Sequence, residues 1–198
     1  AELESLAADL PGTRLFWWSS AVERAEFASA TLAASRAIVA DVEQSHASAR
    51  WLRFDSDELA AHRDGLGIDS LGLSPLVAGL LKMLPTPGPR RIDESWLRAT
   101  ERVHLATAPL FGAIAVADDR DRVQRLNAGR LWQRVHLAAT NAGVAGQPLS
   151  QLVERRDREV ELVLQPSAGD ALRALTGEAD WNVVLPFRLG RPERSAPP

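Results

Sequence analysis

Three groups of residues in this 198-residue chain have side chains and spacing suited to holding a polar, anionic ligand. The first is the loop over residues 143–151. Gly143 and Gly146 can expose backbone amides there, and Gln147, Ser150 and Gln151 can hydrogen-bond to ligand oxygens. A helix-ending loop with solvated polar side chains is the plainer reading of the same run. The second group is Arg130 and Arg134, four residues apart and so on one face of a helix. Either can reach a phosphate or pair with an acidic side chain. The third is Arg188 and Arg191, which bracket Gly190 at the end of an apolar run. That position suits an anion, and equally a domain interface. Trp132 can line a ring slot, but a place in the core is the stronger reading. His136, four residues on, reads as a hydrogen-bonded core or interface histidine.

Other chemistries find little support. There is no cysteine, which removes disulfides, thiolate catalysis and iron–sulfur ligation and is compatible with a reducing compartment. The four histidines are scattered and form no HExxH-type pattern, so no metal site is expected. Ser19, Ser20 and Ser150 lack a histidine and an acid at interpretable spacing. Asp118, Asp119 and Asp121 read as a charged turn and helix cap rather than a cation site. The formal charge is −3, and the basic pairs Arg90-Arg91 and Arg155-Arg156 are too small a patch for nucleic acid. The apolar run over 71–84 contains Lys82 and is broken by glycine and proline, so it is not expected to span a membrane. No signal peptide opens the sequence, and a cytoplasmic location is expected. The chain lacks an initiator methionine and ends abruptly, which suggests part of a longer protein.

The elements that must position these groups follow from the hydrophobic pattern. The opening AELESLAADLPG suits a helix closing at Pro11-Gly12. RLFWWS reads as a strand whose tryptophans pack between layers. A long helix is expected from Ala21, capped by Ser19 or Ser20, with Val22, Phe27, Leu32, Ile38 and Val42 as its apolar positions. A further helix is expected over 47–53, and Ser74-Pro75 marks the start of another. The segment 64–90 reads as a lid or arm, ending in the rigid connector PTPGPRR. A helix over 91–107 and a buried strand LFGAIAVADD come next. A long helix over 120–143 follows, with Val123, Leu126, Leu131, Val135 and Leu137 expected to face apolar surroundings. Gly129 in that helix suggests close approach by another helix or a ligand, and Gly143 is a C-terminal stop. After a turn and a polar loop, two more helices lead to the final strand WNVVLPFRLG. Pro186 within it calls for a bulge or an edge position. Long helices and well-separated strands define an α+β layered domain over residues 1–198, with no internal repeat.

Four segments, DELAAHRDGLGIDSLGLSPL, LFGAIAVADD, NAGRLWQRVHLAATNAGVAGQPLSQ and WNVVLPFRLGRPERSAPP, together resemble the second half of the tandem nitroreductase-like proteins of actinobacteria. The third is the most specific. The resemblance implies a central, mostly antiparallel sheet flanked by long helices. It implies FMN bound where two subunits, or two fused halves, meet. The long helix would end in a glycine turn beside the flavin, and the final strand would run along the opposite edge of the site. Carried onto this sequence, it makes Arg130, Arg134, Gly143, Gly146, Gln147, Ser150, Gln151, Arg188 and Arg191 the candidate flavin-binding residues.

The implied activity is FMN-dependent NAD(P)H oxidation that passes electrons to a nitroaromatic, quinone or similar acceptor. A flavin-sequestering protein without turnover, or a structural half completing a partner's site, are the alternatives. The chain has neither the arginine-rich segment before the first strand nor the HNTQPW-like segment of these relatives. Together with the stop at Pro198, this implies a homodimer, or a pseudo-dimer with a missing first half.

Overall fold

A strand buried on both faces must be apolar at every position, and LFGAIAV meets that requirement. In the computed structural model of the chain, which describes residues 2–53, 56–68, 75–82 and 87–192, this run lies inside a four-stranded sheet. The chain begins with α1 (Glu2–Ser5), β1 (Thr13–Trp18), α2 (Ala21–Ala40) and α3 (Val42–Ala49). Next come β2 (Leu52–Arg53), α4 (Ser56–His62), β3 (Leu66–Gly67), α5 (Pro75–Lys82) and α6 (Pro89–Ala99). A π-helical segment (Thr100–Leu105) is followed by β4 (Leu110–Val116), α7 (Arg122–Asn141) and β5 (Ala145–Pro148). The last elements are α8 (Gln151–Glu161), α9 (Ser167–Thr176) and β6 (Asn182–Gly190). Ser74, the glycine-rich stretch before it, part of the connector and the tail after Pro192 lie outside the described residues.

The chain divides into two compact units, Ala1–Ser35 with Ala99–Pro198, and Arg36–Arg98. The first contains the sheet, in the order β1-β4-β6-β5 and antiparallel at each pairing. Each face of the sheet carries its own core. Trp18, Phe27, Phe111, Leu149, Leu152, Leu172 and Val183 pack on one face. Leu10, Ile114, Val116, Leu131, Val135, Phe187 and Leu189 pack on the other.

A bulge in β6 assigns side chains to these faces. Ala115 pairs with Val183, but Ile114 pairs with Leu185, so one extra residue, Val184, sits in β6. Side chains alternate along a strand, and the extra residue reverses that alternation. Val183 therefore joins one core while Phe187 and Leu189 join the other. Downstream, Arg188 pairs with Phe111 and shares its face. Pro186 lies just past the bulge and the last β5 pairing, where its carbonyl accepts from Leu149 N at 2.8 Å. Its missing N–H faces the same side, at the place where β5 has ended. The bulge alternative therefore holds, whereas the edge alternative does not, because β6 lies between β4 and β5.

The helix ends follow capping chemistry. At α2, Ser20 Oγ accepts from Glu23 N, and Glu23 Oε2 accepts from Ser20 N at 2.9 Å, a capping box. Asp121 caps α7 by accepting from Val123 N at 2.7 Å, in line with the cap reading of the Asp118–Asp121 turn. Trp18 donates from Nε1 to Leu175 O at 3.0 Å, and Trp17 meets the edge of Phe187. Both tryptophans thus pack between layers, as read from the sequence.

Several boundaries and faces differ from expectation. The opening helix is confined to Glu2–Ser5, and the expected 47–53 helix lies earlier, at Val42–Ala49, where Asp41 supplies the cap. Val22 and Val42 are exposed, as are Val123, Leu126 and Leu137 of α7. The buried face of α7 is Asn127, Ala128, Leu131, Val135 and Ala139, an i, i+4 row against the sheet. A row lying that close to Ala and Asn leaves the flanking large residues outside. A Cβ at Gly129 would have no atom within 4 Å, so nothing among the described residues exploits that glycine for close approach.

In the Arg36–Arg98 unit, β2 and β3 form a short parallel pair. Ser45 Oγ donates to Asp93 Oδ2 at 2.8 Å, and Arg53 pairs with Asp64 at 2.7 Å. Helix α5 buries only Ala78 of its described side chains and exposes Leu76, Val77, Leu80 and Leu81. No helix among the described residues is long and apolar enough to cross a membrane.

Candidate functional site

The turn after α7 brings the polar loop to the sheet. Gly143 takes a left-handed conformation, φ 70°, which a glycine accepts without strain. Val144 N then returns to Ala139 O, and the next four residues pair with β6 as β5. From the sequence this run is expected to be a loop. Gly, Gln and Pro are poor strand formers, and the pairing is imposed by β6 rather than by local preference. Gly146 faces α7, where a Cβ would come 3.1 Å from Leu189 and 3.3 Å from Trp132. Its missing side chain therefore lets α7 lie close. Trp132 packs on Phe187 and His136, in the core role expected of it.

On the opposite face, the register sets Gln147 directly across from Arg188. Opposed side chains in an antiparallel pair are near enough to meet, and Gln147 Oε1 accepts from Arg188 Nε at 2.7 Å. Arg188 Nη1 donates to Val103 O at 3.1 Å and His104 O at 3.2 Å, and lies 3.5 Å from Thr107 Oγ1. Both carbonyls lie near the end of the π-helical segment, at the negative end of its dipole, and Val103 O also accepts from Thr107 Oγ1 at 2.7 Å. The π-helical segment thus provides a seat for the guanidinium.

No carboxylate among the described residues pairs with Arg188, and Nη2 has no hydrogen-bond partner among them. Burial lowers its pKa from the usual arginine value, yet a guanidinium remains charged. Burial first, and then the Arg188 charge, lowers the pKa of His104. The result is a half-buried cation whose contacts among the described residues are all neutral.

Arg188 lines a cleft of about 150 Å³ together with Thr107, Gly146, Gln147, Gly190 and Arg191. Four of the nine candidate residues, Gly146, Gln147, Arg188 and Arg191, are thereby brought together. Gly143 is one turn before β5. Ser150 Oγ donates to Glu154 Oε1 at 2.5 Å, and Gln151 is buried with its Oε1 unpartnered among the described residues. Arg130 stays on α7 beside Asn127 Oδ1, at 3.4 Å. Arg134 donates to Leu6 O at 2.9 Å and to Asp9 Oδ2 at 3.0 Å, taking the acidic-partner alternative. Thr107 and the carbonyls of Val103 and His104 were not singled out in the sequence. The end of a π-helical segment leaves no composition signal by which to find them. Among the described residues, no group of three or more acidic or histidine side chains could hold a metal ion.

The fold is that of the nitroreductases. The chain is similar to the FMN-dependent nitroreductase NfnB from Mycobacterium smegmatis in complex with NADPH, with TM-score 0.56 and 17% identity over 98% of this chain and 78% of that one. It is also similar to the FMN and NADPH-dependent nitroreductase NfnB from Sphigopyxis sp. strain HMH, with TM-score 0.54, 15% identity and the same coverages. No protein-family model and no curated protein matches the chain. At these identities the likeness defines the α+β fold alone.

Proposed function

We propose that the chain binds FMN and acts as an FMN-dependent NAD(P)H oxidoreductase of nitroreductase type. Arg188 carries this reading. Among the described residues it is a half-buried cation without a carboxylate partner, and its Nη2, unpartnered among them, belongs to a residue lining the cleft. A phosphate monoester is the ligand group such a site favours, because charge-assisted hydrogen bonds to a guanidinium are strong and directional. Arg191 adds a second positive charge, and the β5 backbone lines the cleft beside it. These residues fit the phosphate end of FMN.

The cleft, at about 150 Å³, is smaller than the ~300–1,000 Å³ of typical small-molecule sites. In this reading it holds only one end of the ligand. A second copy of the chain, or the first half of a tandem protein, supplies the other wall. The exposed apolar row Val123, Leu126 and Leu137 supports such a partner. The segment 64–90 is proposed as an arm over the partner's site, and the exposed leucines of α5 support that role. When bound, FMN supplies the redox chemistry, taking a hydride from NAD(P)H and returning electrons to a nitroaromatic, quinone or similar acceptor. The chain's own contribution is to anchor the phosphate at Arg188 and orient what is attached to it.

The test is titration of the full chain with FMN and with riboflavin, which lacks the phosphate, followed by an NAD(P)H oxidation assay. FMN is expected to bind about tenfold or more tightly than riboflavin, the scale of a charged hydrogen bond. Arg188→Gln should remove that preference. Absence of flavin binding sinks the reading. Flavin binding without NAD(P)H oxidation would instead define a flavin-holding protein.

A further inference from the structure

Gln147 is the candidate whose placement has a consequence beyond ligand contact. Its Oε1 faces Arg188 Nε at 2.7 Å and so is already engaged by the protein. The pairing follows from sheet register, since the two residues are direct cross-strand partners. The remaining contacts of Arg188 are the Val103 and His104 carbonyls and the Thr107 hydroxyl. Among the described residues, every acceptor around this guanidinium is therefore uncharged. Arginines in sheets are readily held by Asp or Glu, and such a partner would neutralise the charge.

We infer that Gln147 is a positioning residue that braces Arg188 through a neutral oxygen and thereby keeps the cleft selective for an anionic group. A carboxylate at the same place would hold Arg188 equally well and close the site to anions. This rests on the reading of the cleft as the seat of the FMN phosphate, and it adds that Gln147 works through Arg188 rather than on the ligand.

Two substitutions of similar size separate this role from a structural one. Gln147→Glu keeps the acceptor and adds charge, whereas Gln147→Met removes the acceptor and stays neutral. If Gln147 mattered only for holding the arginine in place, Met would be the more damaging change. If neutrality matters, Glu is the worse. The FMN-over-riboflavin preference is expected to fall by about tenfold or more in Q147E and by about threefold in Q147M, since the added charge offsets the guanidinium that the phosphate meets, whereas the lost hydrogen bond acts only through the placement of Arg188. Thr107→Asp, at an exposed position in the bend before β4, offers the same added charge and should lower the preference likewise, even where Q147E fails to fold.

A Q147M loss equal to or greater than that of folded Q147E overturns the inference. So does an undiminished preference in Q147E or T107D, or equal affinity of the unsubstituted protein for the two flavins. If the unsubstituted protein binds neither flavin, the functional reading falls and inorganic phosphate becomes the probe. Phosphate binding that is lost in Q147E and T107D then upholds the brace. Absent or unchanged phosphate binding overturns it.

Discussion

Burial, and then the nearby Arg188 charge, lowers the pKa of His104 and so favours its neutral form. In the unfolded chain the imidazole takes up a proton near pH 6.5. The folded state resists protonation down to a lower pH, so the unfolded state binds more protons between the two values. The resulting contribution to stability is complete above the unfolded pKa and is lost as pH falls through the folded one. His104→Gln should narrow the gap in urea midpoint between pH 7.5 and pH 5. An undiminished gap would assign the acid sensitivity to other groups. The same residue illustrates how site residues escape a sequence reading. A lone histidine in a helical run carries no signal until the π-helical segment brings its carbonyl to Arg188, more than eighty positions away in the chain.

At the scale of elements, two glycines should respond oppositely to alanine. Gly129 lies on the exposed side of α7 with nothing near a Cβ, so Gly129→Ala should stabilise by about 1 kcal/mol, the helix-propensity difference. Gly112 lies within β4, where a Cβ would come 2.7 Å from the Phe187 ring and 2.9 Å from that of Trp17. Gly112→Ala should cost about 1–3 kcal/mol through overpacking. Denaturant midpoints of both variants give the check, and a destabilised G129A would mean that an unrecognised neighbour uses that space.

The legible elements were those with a strong local signal. LFGAIAV announces β4 by its unbroken apolar run, and Pro186 announces an irregularity in β6. The poorly legible ones depend on distant pairing. AGQP becomes β5 only because β6 lies alongside, and the buried face of α7 is chosen by sheet contact. The arginines of α7 and β6 looked alike in the sequence. Asp9 separates them by engaging Arg134, while Arg188 meets only neutral acceptors among the described residues.

For the whole molecule, the two-sided core makes the sheet the common support of both helix layers in its unit. Large apolar side chains nevertheless remain outside it. Val123, Leu126 and Leu137 are each more than half exposed along one helix, and a row of that kind favours association. Self-association to a dimer at micromolar concentration is expected in sedimentation velocity. Leu126→Lys should weaken both the dimer and flavin affinity. A monomer that binds FMN with undiminished affinity would remove the partner from the proposed site.

The facing of Gln147 and Arg188 also bears on how this chain can vary in length. Only Ala142, Gly143 and Val144 separate α7 from β5. Inserting or deleting one residue there would shift β5 by one position against β6. Glutamine would turn toward the tryptophan side, and glycine or proline would face the guanidinium. Related sequences should therefore keep this short link at constant length, while the exposed turn between α8 and α9 is free to lengthen or shrink.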